Sequence, residues 1–229
     1  MFIENLINFI DKVYHQKRIV NFLYKEPIKT IVDVGSHKGE FIHYILKIPS
    51  ISVIYAFEPQ KKIFNILRKK YIRNKKVLPH CIALDSSSRT RKIKINKLTM
   101  TSTLSEFDNK SFFFKFKSFL LNEKNSIVDQ YQIRTKSLDD FFSKIVLSKD
   151  ILLKIDTEGF ELNVLLGSKK NMKNFKYILI ENQFSNMYKN TKFSDCEKFL
   201  KNNNFKLLKR FVFPTFHFED RLYAKEASG

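Results

Sequence analysis

Four short β-branched apolar runs, each followed by a stretch with apolar residues every three or four positions, leave this chain few folds to adopt. The runs are Ile31 to Val34, Val53 to Phe57, Ile151 to Ile155 and Tyr177 to Ile180. The stretches that follow them are Glu40 to Lys47, Lys61 to Tyr71, Glu161 to Leu166 and Asp195 to Asn202. Nearly continuous apolar runs suit strands covered on both faces, and the wider spacing suits helices with one buried side. Strand, helix, strand, helix in that order predicts an α/β fold with a doubly wound, mostly parallel sheet, helices on both faces and right-handed crossovers. Residues 1–29 read as a helical extension of one or two helices laid against that sheet, with Phe2, Ile3, Leu6, Ile7, Phe9 and Ile10 on the apolar side. Residues 30–229 read as one domain, with no linker and no internal repeat.

A chain of 229 residues buries a sufficient core without disulfides or structural metal, so Cys81 and Cys196 are expected to be thiols in a reducing compartment. No apolar run is long enough to span a membrane, and Glu4, Asp11 and several lysines interrupt the region where a secretory leader would lie, so a cytoplasmic protein is expected. Lys+Arg outnumber Asp+Glu by 42 to 23, for a formal charge of +19. Such a balance suits nucleic acid, anionic lipid or an acidic substrate. Here most of the bases are lysines, spread along the whole chain among many asparagines, isoleucines and phenylalanines. A nucleic-acid reader concentrates them on one element, so no specific nucleic-acid partner is expected.

Ligands of doubly wound sheets bind outside the carboxyl ends of the strands. The first strand runs into Asp33-Val34-Gly35-Ser36-His37-Lys38-Gly39-Glu40, where two of only five glycines fall. Gly35 there lets the backbone approach a ligand or take a left-handed angle, and Gly39 lets the helix pack closely. The next strand ends in Phe57-Glu58-Pro59, where a carboxylate can accept from both hydroxyls of a ribose. The plainer alternatives are an ordinary strand-to-helix loop and a helix cap. The third glycine of the dinucleotide fingerprint is missing, and so is any phosphate loop, so a ligand with a ribose but no pyrophosphate fits better.

From about Thr30 to Lys225 these motifs, in this order, resemble the FkbM family of S-adenosylmethionine-dependent methyltransferases. The glycine turn and Phe57-Glu58-Pro59 are followed by Ile82-Ala83-Leu84-Asp85, by Thr101-Ser102-Thr103-Leu104 and by Thr135-Lys136-Ser137-Leu138-Asp139-Asp140-Phe141. The most specific stretch is Leu153-Lys154-Ile155-Asp156-Thr157-Glu158-Gly159-Phe160-Glu161, with Val164-Leu165-Leu166-Gly167 after it. The resemblance implies a Rossmann-like class I methyltransferase fold with S-adenosylmethionine as cofactor. It implies that Asp33, Gly35, Ser36 and Gly39 line the methionyl side, Glu58 with Pro59 holds the ribose, and Ala83 with Asp85 flanks adenine, Asp85 accepting from the exocyclic amine. Asp156 falls beside the cofactor's ammonium and sulfonium, or else caps a helix; Glu158 and Glu161 serve the site or only favour the helix's first turn. His37-Lys38 stands where small or neutral residues are commoner in the family, and the Phe-rich insertion at about 105–130 is longer than the family pattern.

Methyl transfer to an alcohol needs in-line alignment and a base within about 3 Å of the oxygen. Asp156, Glu158 and Glu181 are the candidate catalytic groups, with His37 a further one. Asp156 and Glu181-Asn182 also occupy strand ends at which a divalent ion such as magnesium could be held. Ser111 to Leu121 reads as a helix packed on the core, a lid over the acceptor, or an interfacial helix on an anionic membrane. The expectation is an O-methyltransferase acting on a sugar or small-metabolite hydroxyl. Its rivals are a nucleotide-dependent oxidoreductase and a basic nucleic-acid-binding or nucleic-acid-methylating protein on the same fold.

Overall fold

A computed structural model describes residues 14–96, 104, 127–183, 192–214 and 218–226. The segments Phe2 to Ile10, Thr101 to Thr103 and Ser111 to Leu121 lie outside the described residues. The first helix, α1, is Gln16–Leu23, followed by β1 (Thr30–Val34), α2 (Glu40–Ile45), β2 (Val53–Phe57) and α3 (Lys61–Tyr71). Next come β3 (Val77–His80), β4 (Ala83–Leu84), β5 (Thr90–Asn96), β6 (Ile127–Lys136) and α4 (Leu138–Phe141). The chain continues through β7 (Ile151–Ile155), α5 (Glu161–Leu166), β8 (Phe175–Gln183), α6 (Phe193–Asn202), β9 (Phe205–Val212) and β10 (Phe218–Lys225).

β1 is buried along its whole length because β2 and β7 pair with it in parallel on either side. Successive side chains of a strand point to opposite faces. Ile31 and Leu152 accordingly join one core with Ile19 and Leu23 of α1, Ile42 of α2 and Leu67 of α3. Val32, Val34, Leu153 and Ile155 join the other with Val164 and Leu165 of α5 and Leu200 of α6. Each fully buried aliphatic side chain contributes about 1.5–3 kcal/mol, which is why a short strand such as β1 holds its place without a charged partner at every position. The sheet therefore has helices on both faces, in the strand order β3-β2-β1-β7-β8-β10-β9. Strands β3, β2, β1, β7 and β8 run parallel, while β10 lies antiparallel between β8 and β9. A second, three-stranded sheet, β4-β6-β5, stands beside it.

The runs marked in the sequence coincide with β1, β2, β7 and the middle of β8, and the helical stretches with α2, α3, α5 and α6. The β5–β6 and β9–β10 pairs were not marked. The described part of the N-terminal extension is one helix, α1, which shares its core with the sheet. Ahead of it, His15 is fully buried between the rings of Phe213 and Phe218 and bonds Asp220 of β10 at 2.7 Å. Both cysteines are free thiols, Cys81 exposed and Cys196 buried. Among the described residues no helix is long and apolar enough to cross a membrane.

Candidate active site

Five parallel strands bring their carboxyl ends to one edge, and the turn after β1 is shaped there by contact with the end of β7. Gly35 has φ +83°, and a Cβ on it would lie 1.8 Å from the carbonyl oxygen of Asp156, so only glycine fits. The Gly35 and Ser36 amides both donate to the Phe57 carbonyl at 3.0 Å, which ties the turn to β2. Ser36 Oγ donates back to the Asp33 carbonyl at 2.8 Å. His37 also takes a left-handed angle, with φ 45°. That aims its amide at Glu58 Oε2, 3.0 Å away.

Glu58 is 3% exposed at the end of β2, and its other oxygen accepts from the Gln60 amide at 2.8 Å. Pro59, between them, has no amide to give. Burial pushes the Glu58 carboxyl up to about 7, and the Gln60 and His37 amides limit the rise. Each carboxylate oxygen keeps a lone pair beyond the amide it accepts from. Gly39 serves packing instead: a Cβ there would lie 2.5 Å from Tyr71 Cε2 and 2.9 Å from Leu67 Cδ1, and its carbonyl accepts from the Tyr71 hydroxyl. This glycine makes room for α3.

Asp33 and Lys154 take the inward positions of β1 and β7 where the strands adjoin, and both are buried. The Lys154 ammonium lies 3.5 Å from Asp33 Oδ1 and 3.1 Å from Asp156 Oδ2, over the ring of Phe41. Burial works against the lysine's charge, but Asp156 and Asp33 outweigh it and raise its affinity for the proton. Burial likewise raises the carboxyl of Asp33, with Lys154 opposing.

Carboxylate oxygens of Asp156, Glu158 and Glu181 lie within 4.8 Å of one another. Glu158 reaches the group through a left-handed φ of 55°, followed by Gly159 at 87°. Glu161 fixes that loop, its Oε1 accepting from the Thr157 amide, the Thr157 hydroxyl and the Gly159 amide. The Gln183 amide donates to both Glu158 and Glu181. Burial, then the charges of Asp156, Glu158 and Asp220, raise Glu181 well above the ordinary carboxyl range. Three carboxylates this close present acceptor oxygens for a proton, as a general base requires. These three are also the residues that could ligate a divalent cation. The combination of Asp156 and Glu181 with Asn182 is not formed. Asn182, the next residue along β8, points to the other face and donates to Glu219 at 3.1 Å, and Glu158 stands in its place.

Asp85 is not brought into this group. It is fully buried at the end of β4, where Arg89 Nε lies 2.6 Å and Arg91 Nε 2.9 Å from its Oδ2. Arg89 Nη2 and the Ser86 amide bond its Oδ1 at 2.9 and 2.6 Å. Burial works to raise this carboxyl, but the two arginines win and hold it at about 2. Both oxygens are occupied, so the carboxylate ties β4 to β5 rather than offering an acceptor to adenine. Ala83, two residues before it, is buried in β4. The partners missed in the sequence are Lys154, Gln183 and the two arginines. Lys154 had a signal, since a lysine inside the apolar run Ile-Leu-Leu-Lys-Ile needs buried partners.

This architecture, with a glycine turn after the first strand and an acid ending the second, is that of the S-adenosylmethionine-dependent methyltransferases. Methyltransferase FkbM from Methylobacillus flagellatus superposes with a TM-score of 0.55 at 14% identity, over 87% of this chain and 44% of that one. Fibrillarin from Aeropyrum pernix, in complex with natively bound S-adenosyl-L-methionine, gives 0.51 at 12% identity, over 92% and 76%. A putative rRNA-methylase from Clostridium thermocellum gives 0.50 at 11%, over 94% and 97%. At these identities the likeness is one of fold, and the chain spans less than half the length of the first structure. No curated protein matches the sequence. A family model, the methyltransferase FkbM domain, matches residues 33–207, and the chain belongs to that family.

Proposed function

We propose that this protein transfers the methyl group of S-adenosylmethionine to an oxygen, with a sugar or small-metabolite hydroxyl as acceptor. The observation that carries the reading is the group of three carboxylates at the ends of β7 and β8, beside the Gly35 turn and Glu58. The residues suit the cofactor's chemistry. Glu58 offers two oxygens with free lone pairs to a ribose diol, and Asp156 offers negative charge to an ammonium and a sulfonium in a chain of formal charge +19. Bound S-adenosylmethionine supplies a methyl group on positively charged sulfur. The chain's part is to align the acceptor oxygen and take its proton onto the Asp156/Glu158/Glu181 group as the oxygen–methyl bond forms. Lys154 holds Asp156 in place from behind.

Titration calorimetry with S-adenosylmethionine, S-adenosylhomocysteine and NAD tests the cofactor. Binding of the first two without NAD is expected, and binding of NAD alone would replace the reading with an oxidoreductase. Turnover in excess chelator would remove a metal from the mechanism; loss restored by magnesium would give the three carboxylates a divalent ion to hold.

A further inference from the structure

From Pro59 to Leu84 the chain carries eight basic residues, all between Lys61 and Lys76, and no acidic one. Two of the eight are used by the fold. Lys70 donates to the carbonyls of Lys38 and Gly39, and Lys76 to that of Ile51. The other six, Lys61, Lys62, Arg68, Lys69, Arg73 and Lys75, are exposed and make no ion pair among the described residues. At about 100° per residue, Lys62, Ile66 and Lys69 fall within roughly 60° of one another on the solvent side of α3. The opposite side is anchored by Ile63, Leu67 and Tyr71.

Exposed apolar side chains sit among these bases. Ile66 is 47% exposed, and Ile72, at the end of α3, is 74% exposed. Leu78 on the adjoining edge strand β3 is also exposed. The far edge, β9, exposes Leu207 and Leu208 too, but there Arg210 is tied to Glu219. Single-stranded nucleic acid is gripped by aromatic stacking platforms, whereas Tyr71 is buried and Phe64 partly buried. Lysines around aliphatic tips are what an interfacial helix presents to anionic headgroups, the bases meeting phosphate and the isoleucines entering the acyl boundary.

We propose that the outer face of α3, with the turn after it, docks on the surface of an anionic phospholipid bilayer. The face shares no residue with the carboxylate group, so the proposal stands whatever the acceptor is.

The test is sedimentation of the full chain with phosphatidylcholine vesicles, with and without about 30% phosphatidylserine, at about 0.15 M salt. Wild type is expected to bind the anionic vesicles and leave the neutral ones. Lys62→Glu/Lys69→Glu/Arg73→Glu should weaken binding about 100-fold or more, at roughly 5-fold per base. Ile66→Ser/Ile72→Ser, with the charge unchanged, should weaken it about 10-fold. Lys169→Glu/Lys173→Glu/Lys198→Glu, equal in net charge to the first variant, should stay within about 3-fold of wild type. All eight positions are exposed, and circular dichroism checks that each variant folds. Equal binding to neutral vesicles, equal loss in the two charge variants, or no effect of the isoleucine variant would overturn the proposal. So would loss of a homopolymeric RNA in the α3 charge variant while vesicle binding survived, which would assign the face to nucleic acid.

Discussion

Glu58 and Asp85 are both buried acids at strand ends, and both neighbourhoods contain a glycine into which an aspartate carbonyl fits. Gly35 admits the carbonyl of Asp156, and Gly167 that of Asp85, where a Cβ would lie 2.1 Å from the oxygen. The difference lies in the counter-charge. Glu58 is held by two backbone amides and rises to about 7, whereas Asp85 is clamped by two arginines and falls to about 2. A buried carboxylate held only by amides keeps a capacity for further donors, and one saturated by guanidinium does not. The first region retains acceptor capacity, and the second spends its own on tying β4 to β5.

The strongest way to break this contrast is at the glycines. Gly35→Ala combines a left-handed φ with overlap on backbone and should cost about 4 kcal/mol of stability. The protein that remains folded should show no detectable S-adenosylhomocysteine binding by calorimetry. Gly167→Ala, with an ordinary φ, should cost about 3 kcal/mol by denaturant unfolding and leave affinity intact in the folded fraction. If both glycines affect binding alike, the two regions are not functionally distinct.

Next in size is Asp85→Asn. It leaves two arginines without their charge partner but still partly solvated, for a loss of about 3 kcal/mol in stability, read from the denaturation midpoint. S-adenosylhomocysteine affinity should not change. A large drop in affinity would return Asp85 to the cofactor.

Proton linkage sharpens the comparison, because the two acids have opposite signs. Glu58 goes from a reference value of 4.5 to about 7, so the folded state holds a proton that the unfolded chain releases. Its stabilisation is complete below about pH 4.5 and is lost as pH rises through 7. Glu161, also raised to about 7 by burial, acts in the same direction. Asp85, lowered from 3.8 to about 2, stabilises above pH 4 and loses that as pH falls through 2. Stability should therefore decline from pH 5 to pH 8, with about 2 kcal/mol of the decline coming from Glu58. Glu58→Gln should flatten the curve by that amount. An unchanged slope would mean that Glu58 is ionised throughout.

Much of the first region is legible in the sequence and much of the second is not, for physical reasons. β1, β2 and β7 are covered on both faces and appear as uninterrupted apolar runs, and the sharp turn after β1 demands Gly35. β9 is an edge strand with Lys206 to Arg210 all exposed, so no alternation marks it. β5 and β6 pair across a long stretch of chain. The acids themselves are visible, but what each one faces is set by tertiary contact. Arg89 and Arg91, four and six residues beyond Asp85, were the one local hint that this carboxylate is already paired.

The central claim is that the carboxyl edge of β1, β2 and β7 holds the cofactor, with Glu58 on its ribose. Calorimetric titration of S-adenosylhomocysteine into wild type and Glu58→Ala at pH 8 tests it most directly. The account predicts clear binding by wild type and an affinity lower by about 1.5–3 kcal/mol, roughly 10- to 150-fold, in a variant that remains folded. Equal affinity in the two proteins would contradict it.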